Sequence, residues 1–338
     1  MPSWIQVSEM TDPLLCLKDF AVSFRTPNGD VQAVRGVDIS VAAGEMVGIV
    51  GESGSGKSVT FLGVLGLLPK SARITGSATV EGLELVGASN RTMRTVRGKK
   101  IAMIFQDPLS ALNPVYRVGY QVAEMIQAHQ QVSKSEALTR SVELLDIVGI
   151  PQPKVRARQY PHEFSGGMRQ RVMIAMAIAN DPEVLIADEP TTALDVTVQA
   201  QILEVVQRIQ REMNKAVVMI THDLGVIARV ADRVQVMYAG RVVERASVND
   251  LFAAPTHPYT VGLLNSLPRV GQERLQPIPG RPPNMLRPPQ GCAFRARCPH
   301  AAPVCAEKLP ELQPHANSMT ACVRINEIDV AEMSGITA

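Results

Sequence analysis

Val47-Gly48-Ile49-Val50-Gly51-Glu52-Ser53-Gly54-Ser55-Gly56-Lys57-Ser58-Val59 runs an apolar strand into a Gly-x4-Gly-Lys-Ser loop and on into a helix-forming segment. That order of elements is a phosphate cradle. The β- and γ-phosphates of a nucleotide must lie against a ring of backbone N–H groups, and side chains at Gly51, Gly54 and Gly56 would hold them off. Lys57 supplies a point charge and Ser58 a hydroxyl for Mg²⁺. Glu52, Ser53, Ser55 and Val59 complete the residues expected to touch the nucleotide.

The bulk properties fit one sizeable α/β domain with something smaller beside it: 338 residues, 46% apolar and 20% charged. A net charge of +2 and only 4% aromatic residues leave neither a basic tract nor a stacking platform, so nucleic acid is not expected as a partner. The first twelve residues carry acids and no long apolar core, unlike a secretory signal. No stretch approaches the ~20 apolar residues that span a bilayer.

Strand-like stretches dominate residues 14 to 50, with a turn at Pro27-Asn28-Gly29-Asp30, and predict an antiparallel β region leading into the phosphate loop. Residues 107 to 165 carry helical periodicity, notably Val118 to Gln130 and Ser135 to Val148, and read as a helical insertion. Then come a helix from Met168 to Asn180, the strand Val184 to Ala187, a helix from Val196 to Met213, the strand Ala216 to Thr221, a helix from Leu224 to Val230, and a strand from Val234 to Tyr238. Such alternation predicts βαβ units and a parallel sheet. Beyond about residue 245 the character changes, and Pro277 to Pro303 holds eight prolines in 27 residues, which reads as an extended linker wrapping a small C-terminal module.

Val184 to Ala187 followed by Asp188-Glu189 puts two carboxylates at the end of a buried strand. Asp188 is placed to hold the Mg²⁺ shell, and Glu189 to orient and deprotonate a water attacking the γ-phosphate; the alternative is a solvated acidic strand end. Ile220-Thr221-His222-Asp223 ends the next strand on the same sheet edge, which directs His222 towards the γ-phosphate. Ser165-Gly166-Gly167 opens a helix whose free N–H groups and dipole suit an anion. One chain needs one phosphate loop, so a second such site suggests service to a neighbour's nucleotide.

On these motifs the chain resembles the ABC-type ATPases over about residues 14 to 245, in the order Gly51 to Ser58 (Walker A), Gln106 (Q-loop), Ser165 to Gly167 (signature), Asp188 and Glu189 (Walker B), Ala193-Leu194-Asp195 (D-loop) and His222 (switch histidine). The resemblance implies a RecA-like parallel-sheet core, an N-terminal antiparallel β subdomain, a helical subdomain at about 107–165 and a loop-rich extension, divided as an ATPase domain 1–245 and an extension 246–338. It implies catalysis by Glu189, His222 and Gln106, Mg²⁺ held by Ser58, Gln106 and Asp188, and ATP sandwiched between one chain's phosphate loop and the signature and Asp195 of another. Phe24 matches the place where the family stacks an aromatic on adenine, although a strand Phe is also ordinary core. The usual signature is Leu-Ser-Gly-Gly-Gln, whereas this chain has Phe164 and Met168 at the flanking positions.

Phe105 to Pro114, Tyr160-Pro161-His162, Thr191 to Thr197 and His257-Pro258-Tyr259-Thr260 are similar to the bacterial oligopeptide/dipeptide/nickel importer ATPases in particular. That similarity implies a peripheral subunit on the cytoplasmic face of the membrane, working with two transmembrane permeases, a second and non-identical ATPase, and an external solute-binding protein. Cys292, Cys298, Cys305 and Cys322 are spaced C-x5-C-x6-C-x16-C. In number they suit a [4Fe–4S] cluster or tetrahedral Zn²⁺, and free thiols remain a third reading. The importer resemblance implies the iron–sulfur cluster, and Arg281, Arg287, Arg295 and Arg297 are expected to stabilise its thiolates. A soluble ABC ATPase acting on DNA or ribosomes would carry a long coiled-coil insertion or two cassettes, and a P-loop kinase or GTPase leaves the Ser-Gly-Gly turn unexplained.

Overall fold

Half-buried stretches on either side of the Pro27-Asn28 turn form β1 (Leu15–Thr26) and β2 (Gly29–Val41), paired antiparallel from Leu15 opposite Val41 to Thr26 opposite Gly29. The computed structural model describes residues 13–192, 194–267 and 277–328. Its contacts divide the chain into two units. One takes Met46–Val86 with the described parts of 1–42 and 220–338, and the other takes Ala43–Glu45 and Gly87–Met219.

In the first unit β3 (Met46–Val50) is buried at every position, the pattern of a strand covered on both faces. β4 (Ala72–Val80) and β5 (Leu83–Glu84) join β1 and β2 in an antiparallel sheet ordered β2-β1-β4-β5. The helix Lys57–Val64 lies against this sheet, and its Phe61 is as fully buried as Phe20 of β1. β9 (Arg233–Tyr238) runs parallel to β3, and β10 (Arg241–Ser247) folds back antiparallel on β9. The C-terminal extension then adds β11 (Gln313–His315) and β12 (Ser318–Thr320), with β12 antiparallel to β10. The extension is therefore continuous with the unit that carries the phosphate loop.

In the second unit β6 (Ile101–Ile104) and β7 (Val184–Asp188) are parallel, and β8 (Ala216–Thr221) lies on the far side of β7. All three strands are buried throughout. Helices Val118–Gln127 and Lys134–Ile147 occupy the predicted insertion, the second capped by Ser133, whose hydroxyl accepts from Glu136 N–H. Ala123, Ile126, Ala137 and Ala179 form the apolar centre of this part. Among the described residues no helix is long and apolar enough to cross a membrane.

Candidate functional site

β3 delivers the chain into the phosphate loop, and the loop's glycines differ in why they must be glycine. Gly51, Gly54 and Gly56 all have positive φ, at 152°, 78° and 102°. A Cβ at Gly51 would overlap the Met237 carbonyl oxygen, and one at Gly56 the Ala33 carbonyl oxygen, so these two are fixed by the protein's own backbone. A Cβ at Gly54 would meet nothing within 4 Å. It would project into the open cradle, where a phosphate is expected. The Ser55 hydroxyl is buried with no hydrogen-bond partner, a polar group left for a ligand to satisfy.

Lys57, 5% exposed, opens the helix and folds its ammonium back over the loop, donating to the carbonyls of Gly51 at 2.7 Å and Glu52 at 3.1 Å. Ser58 and Val59 follow, both half-buried, while Ser53 is exposed. Glu52 differs from expectation: its N–H donates to the Tyr259 hydroxyl at 2.8 Å instead of facing the cradle. In the same unit Phe24 is half-buried on β1, opposite Val31 and Ala72, and His222 is exposed just past β8.

The second unit brings Gln106 and Glu189 together. Asp188 ends β7 at 7% exposure. Glu189 follows with φ 47°, a left-handed conformation that costs a non-glycine residue strain and turns its side chain out of the strand's alternation. Its Oε2 accepts from Gln106 Nε2 at 3.0 Å and from Thr192 Oγ1 at 2.8 Å. Thr192 was not among the sequence candidates, although it sits in the Thr191–Thr197 stretch. Both of these donors are neutral side chains.

Ser165 caps the helix Gly166–Ala177, its hydroxyl accepting from Met168 N–H at 3.3 Å. Gly167 lets this helix approach the helix Val196–Glu212, since a Cβ there would overlap Val198. A Cβ at Gly166 would only touch Leu194 at 3.6 Å. Asp195 caps Val196–Glu212 by accepting from Thr197 and Val198 N–H at 3.1 and 3.0 Å, and is otherwise exposed. Ala193 lies outside the described residues.

The family model for ABC transporters matches residues 34–192, and that for the oligopeptide/dipeptide transporter C-terminal region matches 243–305. The oligopeptide transport ATP-binding protein OppD of Salmonella typhimurium is 52% identical over 307 residues, covering 90% of this chain and 92% of its own. The OppD of Escherichia coli is 51% identical over 318 residues, covering 94% of each. This chain is an ABC transporter ATP-binding subunit of the oligopeptide/dipeptide family. The dipeptide transport ATP-binding protein DppD of Bacillus subtilis is 51% identical over 314 residues, 91% of this chain and 93% of its own. A solved dimeric ATP-binding cassette in a post-hydrolysis state, bound to ADP and Pi, superposes with TM-score 0.62 at 27% identity, covering 69% of this chain and 98% of that one. The expected α/β ABC fold is thereby established.

Within this family framework the signature's departures have a local explanation. Phe164 is 4% exposed, so its position is an apolar slot that Phe fills where Leu is usual. The C-terminal region corrects the expectation for its arginines. Arg297 turns its guanidinium to Glu52 and away from the thiols, while Arg295 donates to the Gln290 carbonyl and lines the same cavity as the four cysteines. Cys292, Cys298, Cys305 and Cys322 do line one cavity. Among the described residues no three His, Cys, Asp or Glu are arranged to hold a metal ion. Burial pushes the Cys292 thiol up to about 11 and raises those of Cys298 and Cys322 as well. The expected [4Fe–4S] cluster, and the Zn²⁺ alternative, therefore find no support in this geometry.

Proposed function

We propose that this ATP-hydrolysing subunit powers peptide import across a membrane, binding ATP on Gly51–Ser58 and using Glu189 to activate water. The observation that carries the nucleotide site is the loop itself: Gly54 open to the cradle, the Ser55 hydroxyl unsatisfied, and Lys57 poised at the loop's own carbonyls. Lys57 exchanges those carbonyls for the β- and γ-phosphates, a charge-assisted gain. Ser58, Asp188 and Gln106 are the oxygen donors that suit Mg²⁺, which when bound neutralises phosphate charge. Glu189, held by Gln106 and Thr192, accepts the proton of the attacking water, and His222 supports the γ-phosphate.

Ser165, Gly166, Gly167 and Asp195 close over ATP held by a second, non-identical ATPase, and Phe24 stacks on adenine. Two permeases and an external solute-binding protein complete the importer, with this subunit peripheral on the cytoplasmic face. The oligopeptide and dipeptide transport proteins among its relatives support the peptide reading. Affinity-tagged chain, extracted with its membranes in mild detergent, is expected to copurify with two multi-spanning subunits and a second ATPase, and Lys57→Ala is expected to lose ATP binding. Recovery alone, or bound to nucleic acid or ribosomes, would refute the transport reading.

A further inference from the structure

The motif His257-Pro258-Tyr259-Thr260 and Arg297, the residue just before Cys298, find no role in hydrolysis, yet both end on the phosphate loop. Arg297 meets the Glu52 carboxylate with both prongs of its fork, Nη1 to Oε2 at 2.6 Å and Nη2 to Oε1 at 2.9 Å. Its side chain is 3% exposed and that of Glu52 27%, so this is a largely desolvated pair. The Arg297 guanidinium lies 5.8 Å from the ring centre of Tyr238 and 6.0 Å from that of Phe294, and Tyr238 in turn packs on Tyr259 at 4.6 Å. Arg297 Nε also donates to the Pro279 carbonyl at 2.8 Å, tying the proline-rich segment into the same cluster.

Tyr259 completes the grip from the backbone side by accepting the Glu52 N–H. Its own place is set by a fully buried carboxylate. Glu244 accepts from Thr256 N–H at 2.7 Å and His257 N–H at 2.9 Å, and His257 Nδ1 accepts from Tyr259 N–H at 3.1 Å. Burial drives the His257 imidazole down to about 4, which keeps that nitrogen an acceptor at neutral pH. The carbonyls of Gly51 and Glu52, on either side of this grip, both accept from the Lys57 ammonium.

We infer that Arg297 and Tyr259 are positioning residues for nucleotide binding: the C-terminal extension clamps Glu52 and so sets the shape of the phosphate loop and the station of Lys57. This rests on the ATP-site reading above. A guanidinium fork and a phenolic hydroxyl suit the task because each fixes direction as well as distance; a lysine ammonium at 297 would keep the charge and lose the bidentate geometry.

The experiment uses the full chain with Arg297→Lys, Tyr259→Phe and, as a control on the site, Lys57→Ala. It reads ATP affinity with a fluorescent nucleotide analogue, KM against kcat for hydrolysis, and the nucleotide-free melting temperature. Both clamp variants are expected to fold and to raise Kd and KM for ATP about tenfold, the loss of one charge-assisted or buried hydrogen bond, with kcat changing far less. Affinity within about twofold of the native chain in both, beside a Lys57→Ala that no longer binds, would overturn the clamp and leave the ATP site standing. A lowered melting temperature with unchanged affinity overturns it equally, since that is a merely structural contribution. Retained affinity in Lys57→Ala would instead bring down the site on which the clamp depends.

Discussion

The same substitution at two positions of the phosphate loop should give opposite phenotypes. Gly54→Ala places a methyl where nothing lies within 4 Å, at φ 78°. The fold then bears only the cost of a left-handed L-residue, about 1–2 kcal/mol, or a few degrees in melting temperature for a chain of this size. The methyl nevertheless stands in the cradle, and ATP affinity should fall at least about a hundredfold, some 2.7 kcal/mol. Gly56→Ala adds to a φ of 102° a collision with the Ala33 carbonyl oxygen, a backbone atom that cannot swing aside. Its cost should reach about 3 kcal/mol or more in stability before any nucleotide is considered. Urea unfolding without nucleotide separates the two stabilities, and titration with a fluorescent ATP analogue measures the site. A Gly54→Ala chain that binds ATP within about threefold of the native one would refute the placement of phosphate over Gly54.

Glu189→Gln removes the base while keeping an acceptor for Gln106 and Thr192; ATP binding should persist while turnover falls at least about a hundredfold, and unchanged single-turnover hydrolysis would exclude the base role. Phe164→Ala should destabilise by about 3–5 kcal/mol in urea unfolding, against less than about 1.5 for Phe164→Leu, because the site is a buried slot that accepts either large apolar residue. The Cys292 thiol, pushed up to about 11 by burial, should be only about one part in a thousand thiolate at pH 8. Its alkylation by iodoacetamide, followed by peptide mass spectrometry, should quicken about tenfold for each pH unit up to that value, since the thiolate alone reacts. A fast, pH-independent reaction at Cys292 would contradict the buried, protonated thiol.

Periodicity and punctuation made the second half of the core legible. The strand Ala216–Thr221 and the helix Leu224–Val230 fall where the residue pattern puts them, because short apolar runs between turn formers allow little else. The helix at the signature starts at Gly166, two residues before the apolar pattern begins, because Ser165 caps it there. Composition also singled out the proline-rich segment and the cysteine cluster as a module. What it could not reveal was where the module's charges point. Arg297 lies one residue from Cys298, so it reads naturally as a partner for the thiolates, and only the fold shows it reaching 245 residues back to Glu52. Tyr259 stood inside a motif already singled out, but its hydroxyl serves a residue 207 positions away. Glu189's left-handed backbone and its contact with Thr192 were equally invisible, since both arise from how β7 ends and not from residue type alone.

The distance along the chain between Glu52 and Arg297 has a consequence in time. A ribosome adding about 5–20 residues per second needs roughly 12–50 seconds to pass from one to the other. During that interval β1, β2, β4, β5 and the helix Lys57–Val64 can fold on the emerging chain, with the phosphate loop still lacking its Arg297 anchor at residue 52. The loop acquires its final anchor among the last parts of the unit to be made, so a nascent or prematurely terminated chain holds the nucleotide motif without the grip that shapes it.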